Sequence, residues 1–213
     1  MNLAPYLEYT LLQPTTTIDQ VIQTCEAAKL NGVAAVCAPP LFVKKTKQLL
    51  QASSVKVATA IGFPLGYSAI EAKLAEILLA IVDGADELNV VINYMAVKNN
   101  DWTYLANEIN HILPVVKSKG KMMKVVLEAC KLNAEEIERC CQIYSAAGVD
   151  YIDCSTGFFE DASLEEVKFI SSKLISTTRL KFTAKHIANA TAMQLVNLGV
   201  SRIGTSPTTA NTP

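Results

Sequence analysis

The feature that most constrains this chain is its alternation: short β-prone runs are separated by longer amphipathic ones from one end to the other. Eight runs read as strands: Tyr9–Leu12, Val33–Cys37, Val55–Ile61, Glu87–Asn93, Lys124–Glu128, the run opening at Tyr151, Arg179–Thr183 and Ser201–Gly204. Between them, helices are expected from the capping run Thr15–Thr17 through Ala28, then over Lys44–Leu50, Ala69–Val82, Trp102–Val116, Asn133–Ala146, Leu164–Leu174 and Ala190–Leu198. Parallel strands need such crossovers, whereas an open doubly wound sheet seldom needs eight strands. The pattern predicts an α/β chain folded as one (β/α)8 barrel spanning residues 1–213. Half of the residues are hydrophobic, which suits strands buried on both faces.

Charge and composition exclude several functions. A formal net charge of −1 gives no electrostatic case for nucleic acid or for an anionic membrane. No apolar run reaches the roughly 18 residues of a transmembrane helix, and the start lacks a basic-then-hydrophobic leader. Two histidines and six cysteines without a Cys-x-x-Cys pair give no metal cluster, so neither a metal nor another cofactor is expected. The cysteines read as buried free thiols of a cytoplasmic protein, Cys37 and Cys154 among them.

One stretch carries chemistry at the point where a strand becomes a loop. Tyr151-Ile152-Asp153-Cys154-Ser155-Thr156-Gly157-Phe158 puts an ionisable Asp153 inside a short buried strand, then hydroxyls and a glycine at its end. A carboxylate there must be paired, and ligands of parallel α/β folds sit at such strand ends.

This octet resembles the signature strand of the deoxyribose-phosphate aldolase family, in which the run is Lys-Thr-Ser-Thr-Gly-Phe and its lysine forms a Schiff base. Here Asp153 stands where that lysine is expected. The likeness extends along nearly the whole chain: Gly62-Phe63-Pro64-Leu65-Gly66, Gly84 to Asn93, Lys124 to Glu128, Val36-Cys37 and Arg202-Ile203-Gly204-Thr205-Ser206 all match in order. By this resemblance Asn89 replaces an acid/base aspartate and Glu8 replaces a second one near the chain start. Lys181 matches the second active-site lysine, and Ala184-Lys185 stands for a phosphate-holding Gly-Gly. Residues 207–213, with two prolines, are not expected to build the helix that normally follows Thr205-Ser206.

The resemblance implies a lyase acting on a sugar phosphate or aldehyde, with Lys181, Lys124, Asp153 and Asn89 at the catalytic positions. Ser155, Thr156, Gly157, Lys185, Thr205 and Ser206 fall at the substrate and phosphate positions, and a homodimer is compatible with it. The substitutions change the expectation. An attacking lysine must be neutral part of the time, and Asp153, expected beside Lys181 and Lys124, holds both protonated. Three readings follow: a divergent barrel that binds a sugar phosphate or another small anion without Schiff-base chemistry, an active aldolase with a relocated nucleophile at Lys181 or Lys124, and a non-catalytic interaction scaffold. Glu128 is expected to pair with a site lysine.

Overall fold

The computed structural model describes residues 2–175 and 177–207. Eight parallel strands close a barrel in sequence order: β1 (Leu7–Thr10), β2 (Ala35–Ala38), β3 (Lys56–Ile61), β4 (Glu87–Val91), β5 (Met122–Val126), β6 (Tyr151–Asp153), β7 (Arg179–Thr183) and β8 (Val200–Thr205). The helices α1 (Ile18–Asn31), α2 (Val43–Leu50), α3 (Ile70–Val82), α4 (Tyr94–Lys98), α5 (Trp102–Ser118), α6 (Ala134–Ala147), α7 (Leu164–Lys173) and α8 (Asn189–Asn197) form the crossovers. The predicted (β/α)8 barrel is the observed one.

Local chemistry fixes the helix ends. Thr17, Asn133 and Ser163 each make a reciprocal capping box with Gln20, Glu136 and Glu166, and Gly32 and Gly148 close α1 and α6 in the left-handed region. The outward faces of the strands, such as Leu88, Val90, Val125 and Ile152, are buried under the helices. Among the described residues no helix is long and apolar enough to cross a membrane.

Three boundaries differ from expectation for a shared reason. Strand β1 begins at Leu7 rather than Tyr9, because Glu8 is a fully buried strand residue and not a polar flank. Strands β4 and β5 stop at Val91 and Val126. Asn93 then caps the unexpected helix α4, and Glu128 sits at φ +53 in the left-handed region. Side chains held by tertiary contacts override the local pattern there.

Candidate active site

Strand pairing decides which side chains meet. The Cα atoms of Asp153 and Lys181 are register partners across β6 and β7, and those of Asn89 and Lys124 across β4 and β5. With alternate residues facing the interior, β1, β4, β5, β6, β7 and β8 send Glu8, Glu87, Asn89, Lys124, Asp153, Lys181 and Arg202 into one layered cluster. All seven are buried.

Glu8 is its hub. Its carboxylate accepts from Lys181 Nζ at 2.6 Å and from Asn89 Nδ2 at 3.1 Å, contacts Lys124 Nζ, and lies 3.6 Å from Arg202. Burial opposes ionisation of Glu8, yet the three surrounding cations overcome it and hold the carboxyl well below its usual range. Lys124 lies between Glu8 and Glu87, and Arg202 forks onto Glu87 with both contacts at 3.3 Å. Three carboxylates, Glu8, Glu87 and Asp153, therefore face three cations, Lys124, Lys181 and Arg202. Balanced pairing of this kind is what allows so many charges to be buried.

Asp153 caps the cluster toward the mouth. Its Oδ2 lies 3.2 Å from Lys181 Nζ and accepts from Thr183 Oγ1 at 2.8 Å, while Oδ1 meets the Ser155 N–H at 3.4 Å. Desolvation pushes the Asp153 carboxyl upward, against the pull of Lys181 and Thr183. For Lys181, burial acts to lower the pKa, but Glu8 and Asp153 outweigh it and hold the ammonium above its ordinary range. The amine is cationic at neutral pH.

Two sequence expectations need correction. Asp153 reaches Lys181 but not Lys124, whose partners are Glu8 and Glu87 lower in the barrel. Glu128 pairs with no lysine among the described residues. It accepts from the Thr156 N–H at 2.9 Å, from the Thr156 hydroxyl and from Cys130 Sγ, so it latches β5 to the loop after β6. Cys37, beside Asn89 at 3.3 Å, is wholly enclosed, and burial pushes its thiol up to about 12. Cys154 is likewise raised by burial, as expected of core thiols.

The remaining candidates divide into buried and accessible groups. Ser155 and Thr205 are fully buried and donate their hydroxyls to Thr183 O and Lys185 O. Thr156, Gly157, Lys185 and Ser206 line a cavity of about 440 Å³ at the barrel mouth, whose far wall is the β1–α1 loop and one face of α1. Below it, a void of about 10 Å³ touches Asn89, Asp153 and Lys181. That holds about one water. Thr10, Leu12, Phe63, Thr156 and Thr183 border both spaces. Sequence reasoning missed Glu87, Arg202 and Thr183; the buried Glu8 was visible only through the family resemblance.

Comparison with known proteins gives the family. A model of the DeoC/LacD family of aldolases matches residues 8–194. The chain is 36% identical over 208 residues to deoxyribose-phosphate aldolase of Caldanaerobacter subterraneus subsp. tengcongensis, covering 97% of this chain and 90% of the relative. It is 36% identical over 209 residues to that of Thermococcus gammatolerans, covering 97% and 93%. Among solved structures, a Coccidioides immitis protein provisionally assigned as a deoxyribose-phosphate aldolase superposes with a TM-score of 0.92 at 33% identity, covering 97% of this chain and 82% of the other. The tetrameric deoxyribose phosphate aldolase of Aeropyrum pernix gives 0.89 at 28% identity, covering 96% and 87%.

Proposed function

This chain belongs to the DeoC/LacD aldolase family, and we propose that within it the native protein binds a sugar-sized ligand without forming a lysine Schiff base. The observation that carries this reading is the enclosure of Lys181, with Asp153 Oδ2 at 3.2 Å on one side and Glu8 Oε1 at 2.6 Å on the other. Attack on a carbonyl needs a neutral amine, and two lysines side by side lower one another's pKa. A carboxylate in place of one lysine reverses that sign. Asn89 supports the same reading, since an amide cannot serve as the general acid or base. Borohydride reduction in the presence of acetaldehyde or 2-deoxyribose 5-phosphate, with mass mapping, tests it: no lysine should carry an adduct at neutral pH.

One observation favours a second reading, an aldolase whose nucleophile has moved. Lys181 touches the small void under the mouth, whereas Lys124 does not. A reduced adduct on Lys181 would establish that reading and end the first.

A further inference from the structure

The mouth cavity has a wall that none of the aldolase-like motifs reaches. The β1–α1 loop brings Gln13 and Thr15 to it, and one face of α1 brings Gln20, Gln23, Thr24 and Ala27, at the spacing of a single helical stripe. Thr24 is 4% exposed, so its hydroxyl belongs to the cavity rather than to bulk solvent. Among the described residues, the side chains of Gln13, Thr15, Gln23 and Thr24 have no hydrogen bond to the protein. Each is a neutral donor and acceptor. Opposite them, Phe63 and Phe158 meet edge to face at 6.0 Å and present ring surface to the same space.

Among the described residues, the end of the cavity where an anion would sit keeps few free groups for one. Anions in such sites are held by free backbone N–H groups and by paired cations. Here the Thr156 N–H is spent on Glu128, that of Phe158 on Thr156 Oγ1, that of Ala184 on Gly204 O and that of Ser206 on Lys185 O, which leaves those of Gly157 and Lys185. Among the described residues lining the cavity Lys185 is the one cation; it is exposed, and Asp161 lies close enough to share its field. The Thr156 hydroxyl is committed to the Glu128 carboxylate.

We infer that this cavity takes a neutral polyhydroxylated ligand, a free sugar or polyol in place of a phosphate ester, with its hydroxyls on Gln13, Thr15, Gln23 and Thr24 and its C–H face on Phe63 and Phe158. The inference rests on the ligand-binding reading above and names the ligand class of that site. Sugars offer alternating hydroxyls and weakly apolar C–H faces, which match amide and hydroxyl groups on one wall and aromatic rings on the other.

Titration calorimetry and ligand-observed NMR on the full chain test it, using 2-deoxyribose, ribose and erythritol against 2-deoxyribose 5-phosphate and inorganic phosphate. The free sugars should bind at least as tightly as the ester, with an affinity that does not fall between low and high salt. Gln23→Leu and Thr24→Val should each weaken sugar binding about fivefold, the loss of one hydrogen bond; Gln23 is exposed, so its variant tests the wall without risk to the core. The inference is overturned if the ester binds tenfold tighter than the sugar and loses that advantage in Lys185→Ala, which leaves the ligand-binding reading standing. If neither sugar nor ester binds, both fall. Sugar binding unaltered in Gln23→Leu and Thr24→Val would overturn the assigned wall.

Discussion

Asp153 Oδ2 stands 3.2 Å from Lys181 Nζ across register-paired positions of β6 and β7, in the barrel of an aldolase-family chain. Glu8 closes on the same ammonium from β1 at 2.6 Å. The geometry makes Lys181 half of a charge pair and leaves a carboxylate at the octet position where the resemblance expects an amine.

Restoring that amine should restore trapping. Asp153→Lys places a second cation beside Lys181, and like-charge repulsion then lowers the pKa of one of them. Borohydride with acetaldehyde should label position 153 in this variant and no lysine in the native chain. Adding Asn89→Asp should raise turnover of 2-deoxyribose 5-phosphate further, toward the 10²–10⁴-fold range that general acid–base catalysis typically contributes. Equal labelling of native and variant proteins would refute the account.

Glu8 should be the most costly carboxylate to neutralise. It contacts Lys124, Lys181 and Arg202, so Glu8→Gln leaves three buried cations facing Glu87 and Asp153 alone. Breaking a buried ionic network from one side costs roughly 3–5 kcal/mol. Asp153→Asn should cost less than half as much, because Lys181 keeps Glu8 and the amide still accepts from Thr183. Urea midpoints of the two variants check the order; the reverse order would remove Glu8 from the centre.

The alkaline limb of stability should depend on Asp153. Lys181 is raised above its ordinary 10.5, so its contribution is complete below that pH and is lost as pH rises through the higher folded value. Asp153→Asn removes one of the two carboxylates that raise it, so the loss, which begins at the same unfolded value, should be smaller and end at lower pH. On the acid side Glu8 acts with the opposite sign: held below its ordinary 4.5, it stabilises above that pH and the gain is lost as pH falls through the folded value. Asp153 and Glu128, both raised by burial, destabilise when ionised and offset part of the Glu8 gain. Urea unfolding from pH 3 to 12 in both proteins follows these limbs; an alkaline loss equally large in both would count against the pairing.

Gly66 offers a test of the scaffold apart from the charges. It lies at φ +68, and a Cβ there would come 1.7 Å from Ile92 O, a backbone atom that cannot move aside alone. Gly66→Ala should cost more than the roughly 1–3 kcal/mol of an unfavourable φ by itself. A variant of native stability would show that the β3–α3 loop has another arrangement within reach.

The barrel was readable from the chain because its cause is periodic. Runs such as Val55–Ile61 and Lys124–Glu128, broken by Gly, Pro and capping residues, leave a parallel sheet with crossover helices as the way to bury both strand faces. Asp153 was also readable, as an ionisable residue inside a buried strand that needs a partner. The pairing with Lys181 followed from their strands being consecutive.

What the chain alone did not disclose is which charge serves which. Glu8, Glu87, Lys124 and Arg202 lie up to 194 positions apart in sequence, yet barrel closure joins β1 to β8 and brings them within contact. Local patterning takes a charged residue in a strand as facing water, and only closure supplies the opposite charge that lets it stay inside. The same closure sent Lys124 downward to Glu87 and turned Glu128 onto Thr156. Sequence periodicity determined the barrel and the identity of the groups it encloses; the register and shear of the closed sheet decided their partners, because buried charges settle by distance in space.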